Sequence, residues 1–370
     1  MTPSGLLPAV LRLLTQAGIL SGLLASVSRA EDGQGGENSV RYEASHESMG
    51  TVFTVAVYGR DRAFLSEVVE QVFEEVDRIN DQMSKYRPQS EVSAINREAW
   101  SHPVLVEPRL FHLLEVCVQR SEETDGDFDV TAGPLMKEWG FFRGRGQLPS
   151  HEEIRQALTH IGYQHLKLDP ERRTIKFDTS GVEIDLGGIA KGYAVDRAVE
   201  VLRSNGITSA LVSSGTSSLY ALGSPPGDRA WKIVLRSPYD ARKAGDVIHL
   251  KNYSLSTSGS YEKFFKMGGK THCHIMNPHT GWPVEGRLSA AVLAPTGTDT
   301  DGRSAGSFVM GVERTREYLR IHPNLAVIFY LQDGPPPKYK RVLLRSDSCS
   351  IPSDSIAEIG PSTEPHSSGY

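Results

Sequence analysis

The chain has 370 residues, of which 39% are hydrophobic and 23% charged, an ordinary composition for a globular protein with a sizeable core. Its net charge of −5 and pI near 6.2 argue against nucleic acid or an anionic membrane as the main partner, because either would require a basic surface. No block of basic residues and no alternation of aromatic with basic residues occurs, which gives nucleic-acid binding little support.

The first 30 residues have the outline of a secretory signal peptide. Arg12 precedes an apolar run at residues 18–27, and residues 28–30 form a small-x-small cleavage pattern. An uncleaved anchor is the alternative, but Arg12 interrupts the hydrophobic stretch and the run after it is short for a membrane-spanning helix. We therefore predict cleavage after Ala30, an exported mature protein, and a flexible linker at residues 31–44.

Hydrophobic periodicity then predicts strands and helices without strict β-α-β alternation. A strand at residues 52–58 precedes two amphipathic helices, which carry apolar residues from Leu65 to Ile79 and from Leu110 to Cys117. Further strands are predicted at 166–169, 174–177, 182–186, 209–212, 231–236, 246–250, 288–293 and 325–331, with helices before Gly206 and at about 304–321. This pattern predicts an α+β fold, and the Ser-, Pro- and Glu-rich stretch at residues 346–370 predicts a disordered tail.

The strongest local motif is at residues 185–196, where an acidic residue at a predicted strand end is followed by two glycines and a helix. Backbone N–H groups at the start of a helix favour an anion, and Lys191 would add a positive charge there. Asp185 could accept hydrogen bonds from a ligand. A simple strand-to-helix turn with a solvated lysine would explain the same residues, so this motif alone leaves both interpretations open.

A second motif, at residues 124–135, places Asp127, Phe128 and Asp129 shortly before a Gly-Pro pair. With Asp125, three acidic residues surround an aromatic ring, which is too polar for a core and too apolar for a simple linker. A loop with capping acidic residues is the structural alternative.

A third motif, at residues 256–281, contains His272 and His274, which would face the same side of a strand. Zinc binding has little support, because no third ligand has a supporting spacing and the three cysteines show no metal-ligand pattern. A histidine that acts as a general base near neutral pH is the simpler interpretation. Cys117, on the apolar side of a helix, is predicted to be a buried small hydrophobic residue.

Taken in order, these segments resemble the ApbE family, the FAD:protein FMN transferases of the bacterial envelope. The matching segments are residues 49–51, 83–86, 90–96, 125–141, 185–196, 256–261, 274–281 and Asp301. Their shared order from about residue 45 to 330 makes the resemblance far more specific than any single motif. It implies an α+β, T-fold-like structure at residues 45–345, with FAD in a cleft beside Mg²⁺, in a periplasmic protein.

The resemblance also implies roles for individual residues. The residues expected to line the FAD pocket are Met49, Tyr86, Asp127, Phe128, Asp129, Asp185, Lys191, His274 and Ile275. The backbone carbonyl of Gly188 and the carboxylate of Asp301 would bind Mg²⁺, an ion that prefers oxygen ligands. The family reaction cleaves the FAD pyrophosphate, attaches FMN to a Thr or Ser hydroxyl of a target protein and releases AMP. His274 would be the base for that hydroxyl.

Three departures from the family pattern raise the question of whether the chemistry is intact. Residues 213–217 replace an Asn-x-Gly-Gly-Asp run, Asn277 replaces an aspartate beside the expected base, and Ala305 replaces a metal-binding threonine. Because alanine has no side-chain oxygen, a water must fill that position or the metal binds more weakly, at a cost of ~1–3 kcal/mol. Two alternatives therefore stay open: a Mg²⁺-dependent FAD pyrophosphatase, and an FAD-binding or scavenging protein that has lost catalysis.

Overall fold

The computed structural model describes residues 39–141, 146–240, 242–348, 351 and 356–361. The predicted signal peptide, Cys349 and most of the predicted tail lie outside the described residues. No helix in the described part of the chain is long and apolar enough to cross a membrane. The long helices and most of the strands belong to or pack against one large sheet, and this sheet determines where the motifs of the sequence meet.

This central sheet is antiparallel and has eight strands. In spatial order they are β1 (Val40–Ser48), β2 (Thr51–Gly59), β6 (Ala210–Ser214), β7 (Ser218–Leu222), β10 (Tyr253–Gly259), β13 (Arg287–Ala294), β14 (Ala326–Gln332) and β15 (Tyr339–Arg345). In β2, Val55 and Val57 pack with the helical side of the core, whereas Ala56 packs on the other face with Trp231 and Ile248. Side chains alternate between the two faces of a strand, so the sheet is covered on both sides.

Three long helices, α1 (Arg62–Met83), α6 (Ala190–Ser204) and α7 (Gly297–Arg320), cover one face of the sheet. Asp61 starts α1, because its carboxylate accepts hydrogen bonds from the N–H groups of Ala63 and Phe64. The apolar residues predicted at helical spacing in α1 are buried, as an amphipathic helix requires. The predicted helix in this segment is therefore confirmed.

Smaller elements surround this core. They are the helices α2 (Glu91–Glu98), α3 (Pro108–Glu123), α4 (Gly133–Glu138) and α5 (His151–Leu158), and the strands β3 (Val104–Leu105), β4 (Leu166–Asp169), β5 (Thr174–Phe177), β8 (Trp231–Arg236), β9 (Ala244–Leu250), β11 (Phe264–Met267), β12 (Lys270–Cys273) and β16 (Ile356–Pro361). The predicted hairpin is present as β4 and β5. β8, β9 and β16 form the small sheet that covers the second face of the central sheet. Mixed helices and antiparallel sheets confirm the predicted α+β class.

Helix α7 is longer than predicted and is kinked. It is fixed to the sheet through Thr300, whose hydroxyl lies 2.9 Å from the Ser254 hydroxyl and accepts a hydrogen bond from Ser256 at 2.7 Å. Gly311 breaks its helical geometry with a φ of 77°. The Arg287 guanidinium donates to the carbonyls of Phe308 and Val309 just before the break, at 2.8 and 2.7 Å. The segment before the kink, which contains Asp301, is thus held firmly against β10.

The predicted strand at residues 182–186 is wrong. Residues 182–185 have no strand neighbour, and a short 3₁₀ turn, Leu186–Gly188, follows them. Their backbone groups bind elsewhere: the Asn96 side chain exchanges two hydrogen bonds with the backbone of Ile184, and the Asp185 N–H donates to the Val130 carbonyl at 2.7 Å. The alternating pattern reflects burial between loops rather than membership of a sheet.

Two predicted boundaries also need correction. The linker predicted at residues 31–44 overlaps β1, which pairs with β2 from Val40 opposite Gly59 onwards. The tail predicted to be disordered at residues 346–370 contains β16, which pairs with β9 from Ile356 opposite Leu250. In both places the open edge of a neighbouring strand offers unpaired backbone groups, and composition alone does not report such an edge.

Candidate active site

All the residues predicted to contact FAD or the metal line one cavity of about 1190 Å³. The turn between β1 and β2, the start of α6, the first half of α7 and the segments that flank β11 and β12 form its walls. Met49 enters it from a turn in which both Met49 and Gly50 have positive φ, 51° and 70°. Pockets for small ligands measure about 300–1,000 Å³, so this cavity can hold a large ligand together with a second reactant.

Asp185 organises the wall that leads into α6. Its Oδ1 accepts a hydrogen bond from the Gly187 N–H at 2.9 Å and closes the turn Leu186–Gly188. Its Oδ2 forms an ion pair with Lys85, whose side chain is only 8% exposed. Burial lowers the pKa of Lys85, and Asp185 partly opposes that shift. Lys191, at the start of α6, lies with its Nζ 3.3 Å from the Gly187 carbonyl.

Asp127 lines the cavity, and its carboxylate is bound by other side chains of the protein. Its side chain is only 1% exposed and forms ion pairs with Arg314, which follows the kink in α7, and with His279, whose Nε2 is 3.3 Å away. Burial raises the pKa of Asp127, and the positive charge of Arg314 opposes this shift. These ion pairs fix the loop that presents Phe128 to the cavity.

Asp129 has a similar role in the same loop. Its Oδ1 accepts hydrogen bonds from the N–H and the hydroxyl of Thr131 at 2.8 and 2.6 Å, and its Oδ2 accepts from the Tyr163 N–H at 2.8 Å. Burial raises the pKa of Asp129, and these donors oppose that shift. Asp127 and Asp129 therefore both line the cavity and hold its loop in place. The motif is at once a part of the candidate ligand site and a loop stabilised by acidic residues, the two interpretations that the sequence left open.

The residues predicted to bind the metal are brought together where α6 crosses α7. Asp301 is buried, and its Oδ2 accepts a hydrogen bond from the Gly192 N–H at 2.9 Å. A Cβ placed on Gly188 would lie 3.9 Å from the Ala305 Cβ, so the methyl group of Ala305 borders Gly188. Ala305 therefore occupies the place at which the family resemblance puts a metal-binding oxygen.

The oxygen donors at this position fit Mg²⁺ better than zinc. Among the described residues, no group of three or more His, Cys, Asp or Glu side chains could hold a metal ion. Mg²⁺ usually keeps several waters and is bound through one or two carboxylates plus the phosphates of a substrate. Asp301 and the backbone of Gly188 line the same cavity, and Gly188 borders Ala305, one turn after Asp301 in α7. They are the kind of partial ligand set that such an ion uses.

His274 lies just after β12 and has a defined hydrogen bond. Its Nδ1 is 3.1 Å from the Lys263 carbonyl, and burial lowers the pKa of His274 to about 4. The neutral ring must donate its Nδ1–H to that carbonyl, which leaves Nε2 as a hydrogen-bond acceptor. His274 is thus held in the protonation state and tautomer that a general base needs.

His272 does not share the surroundings of His274, contrary to the expectation that both face one side of a strand. β12 ends at Cys273, so His274 lies beyond the strand. His272 is buried against the rings of Trp139 and Phe265, with centroids 5.4 and 5.2 Å away. This arrangement gives His272 a packing role and gives no support to a shared zinc site.

Asn277 is part of a turn and does not line the cavity. Its Oδ1 accepts hydrogen bonds from the N–H groups of His279 and Thr280 at 2.9 and 3.1 Å, and its own N–H donates to the Trp282 carbonyl at 2.8 Å. Aspartate could accept the same two hydrogen bonds. The expectation that Asn277 acts on the charge next to His274 is therefore not supported by its position.

Lys85 and Glu262 also line the cavity, although the sequence did not single them out as site residues. Burial raises the pKa of Glu262; Asp301 adds to the shift, and Lys191 opposes it. Both residues adjoin motifs that had been identified, since Lys85 precedes Tyr86 and Glu262 follows residues 256–261. Their closeness to these motifs was the only indication in the sequence that they belong to the site. Their partners come from distant segments of the chain.

Comparison with known proteins agrees with this geometry. The model of the ApbE family matches residues 49–329. The FAD:protein FMN transferase of Treponema pallidum is 31% identical over 316 residues, which cover 81% of this chain and 87% of the relative. The solved structure of the ApbE protein from Thermotoga maritima has 30% identity and a TM-score of 0.75, and the flavin transferase ApbE from Vibrio cholerae has 27% and 0.73; each match covers 84% of this chain and 98% of the other. The chain therefore belongs to the ApbE family.

Proposed function

We propose that this protein is a Mg²⁺-dependent FAD:protein FMN transferase, which attaches FMN from FAD through a phosphoester to a Thr or Ser hydroxyl of an acceptor protein and releases AMP. The observation that carries the proposal is the convergence of Lys191, His274 and Asp301 on one cavity large enough for a dinucleotide. The relatives described above bear the name of this activity. Their sequence similarity extends over most of the chain.

His274 would act on the acceptor hydroxyl. Its Nε2 accepts the proton while the hydroxyl oxygen attacks the phosphorus on the FMN side of the pyrophosphate. A new P–O bond forms to the acceptor, the bond between the two phosphates breaks, and AMP leaves with the electron pair. Because its pKa is about 4, His274 is neutral at neutral pH, and its Nε2 lone pair is available to the acceptor hydroxyl.

The negative charges of the pyrophosphate would be offset by positive charges near the crossing of α6 and α7. Asp301 and the Gly188 carbonyl would hold Mg²⁺, which offsets the negative charge that develops on the transferring and leaving phosphates. Lys191 would add a positive charge at the start of α6, where backbone N–H groups also favour anions. The methyl group of Ala305 removes one expected oxygen, so water and the phosphates would complete the ligand set.

The absence of a side-chain oxygen at Ala305 also favours a second function. A site with a weakened cation could bind FAD and yet transfer FMN poorly, as a flavin-binding or scavenging protein would. A pyrophosphatase, with water in place of the acceptor hydroxyl, would use the same cation and base. These alternatives share the FAD site and differ in what happens to the pyrophosphate.

The proposed partner is an envelope protein with a flavinylation motif that bears Thr or Ser. The predicted signal peptide supports export to the periplasm, where such an acceptor would be met. Any association with the membrane would come through the acceptor or through an uncleaved leader. Fractionation of cells that express the full chain would test this location, with cytoplasmic retention as the contrary result.

The experiment that tests the function uses the chain from Glu31 onwards with FAD, Mg²⁺ and a Thr-bearing acceptor domain. Release of AMP together with a fluorescent, covalently flavinylated acceptor would support the transferase. AMP released equally without acceptor and without labelling would favour the pyrophosphatase, whereas FAD binding without AMP would favour the binding protein. Asp301→Ala is the control, since it should abolish turnover if the cation is required.

A further inference from the structure

The ion pair between Lys85 and Asp185 is a feature of the cavity that the proposed chemistry leaves unused. Lys85 follows α1, and Asp185 begins the turn into α6, so the pair joins two walls that are 100 residues apart in the sequence. Both side chains line the cavity. The Lys85 side chain is 8% exposed and that of Asp185 is 25% exposed, so the pair is largely removed from water while one side of it still faces the ligand space.

Burying a charge costs free energy unless an opposite charge and hydrogen bonds compensate for the lost hydration. Burial lowers the pKa of Lys85 even with Asp185 beside it, which shows that this position disfavours a cation. Lys85 also lies over the ring of Tyr86, with its Nζ 5.7 Å from the ring centroid, and Tyr86 is largely exposed in the cavity. The ammonium, the carboxylate and an aromatic surface are thus grouped at one place on the wall.

We propose that Lys85 and Asp185 form a hydrogen-bonding pair that recognises the polar edge of one aromatic ring of FAD. An ammonium group only donates hydrogen bonds, and a carboxylate only accepts them, at up to four positions. A ring edge with an acceptor beside an N–H donor complements this pair. The pyrimidine edge of the isoalloxazine and the amino edge of adenine both have that chemistry, and Tyr86 offers a ring surface beside it. The proposal rests on the FAD binding in the proposed function but not on transfer.

A second ion pair of the chain supplies a matched control. Lys137 pairs with Glu183, two residues before Asp185, but neither side chain lines the cavity. Lys137 is 52% exposed, so its pair is solvated. A substitution of Lys137 by methionine removes the same charge and a neighbouring ion pair without touching the cavity, which separates ligand recognition from a general electrostatic effect.

The test measures the dissociation constants of FAD, riboflavin and adenosine for the wild-type chain, Lys85→Met and Lys137→Met. The two fragments, neither of which contains a phosphate, are measured by competition against FAD. Methionine keeps the length of the side chain and removes its donors. We expect Lys85→Met to weaken FAD binding about 10- to 100-fold, the range for hydrogen bonds to charged groups. We also expect an equal loss for one fragment, which identifies the ring: riboflavin for the isoalloxazine, adenosine for adenine. Lys137→Met should leave all three constants unchanged.

Three results would overturn the proposal. Unchanged FAD affinity in Lys85→Met would show that the pair does not contact the ligand. Weaker FAD binding with both fragments unaffected would assign Lys85 to the phosphates. An equal loss for all three ligands together with a lower melting temperature would show a structural role. A wild-type chain that binds FAD but releases no AMP would contradict the transferase and leave this test intact.

Discussion

Gly192→Ala is the substitution that most directly tests how the fold creates the cation site. α6 and α7 approach each other at Gly192 and Gly297 with backbone against backbone. A Cβ on Gly192 would lie 2.0 Å from the Gly297 carbonyl oxygen and 2.6 Å from the Asp301 Cβ. Ordinary contacts between non-bonded heavy atoms begin near about 3.5 Å. The two helices must therefore separate, and Asp301 must move with α7.

The expected loss of stability follows from three contributions. Overpacking of a close contact costs about 1–3 kcal/mol. Separation also removes the hydrogen bond from the Gly192 N–H to the Asp301 carboxylate, 2.9 Å long, and a bond to a charged group contributes about 1.5–3 kcal/mol. In the other direction, the higher helix propensity of alanine than of glycine stabilises the variant by at most about 1 kcal/mol. The free energy of unfolding should therefore fall by about 1.5–5 kcal/mol.

The assay is urea denaturation of the mature chain, followed by titration of Mg²⁺ into the FAD-bound protein. Gly302→Ala is the matched control in α7, because its Cβ would meet only the flexible Cδ1 of Ile189, at 3.2 Å, and the ring of Phe128. The control should stay within about 1 kcal/mol of wild type. If Gly192→Ala is as stable as the control and binds Mg²⁺ normally, the close helix crossing does not position Asp301.

Three further predictions concern the site. Ala305→Thr should tighten Mg²⁺ binding about 5- to 150-fold in a calorimetric titration, because it restores an oxygen beside Gly188; an unchanged affinity would show that position 305 is not a missing metal ligand. The transfer rate should stay constant through neutral pH and fall only as the pH approaches about 4, since His274 must be neutral to accept a proton; an inflection near 6.5 would contradict its low pKa. Asn277→Asp should leave turnover and Mg²⁺ affinity unchanged, because either side chain can close its turn.

The periodicity of the sequence predicted much of the fold where a segment buries a regular face. The helix of residues 65–79 and the strand at residues 231–236 are examples. Each buries one regular face in one core cluster, and that burial sets the spacing of its apolar residues. The errors lie where pairing partners decide the structure. Residues 182–185 are extended and partly buried but bind Asn96 and Val130 instead of a strand. Periodicity reports which side chains are buried, and it does not report which backbone groups meet.

The site was predictable through its motifs, while its contacts were not. Each predicted site residue lies on the cavity, yet the sequence could not show that Asp127 is held by Arg314 or that Asp185 is held by Lys85. Such pairs depend on the crossing of distant elements and on the kink at Gly311. The ligand roles themselves remain predictions, since they come from the family resemblance.

The three departures from the family pattern have different consequences once they are placed in the structure. Asn277 closes a turn outside the cavity, and the turn at residues 213–217 keeps a glycine at Gly215, where φ is 56° and a Cβ would clash with Thr51. Residues 213 and 215–217 line the cavity, so this departure changes the chemistry of the cavity wall although the turn keeps its glycine, whereas Asn277 closes its own turn. Ala305 alone among the three lies against Gly188 in the predicted cation site. Since His274, Lys191 and Asp301 all line the cavity, the expected defect is weaker binding of the cation rather than a lost base. The transfer rate should therefore saturate only at a high Mg²⁺ concentration.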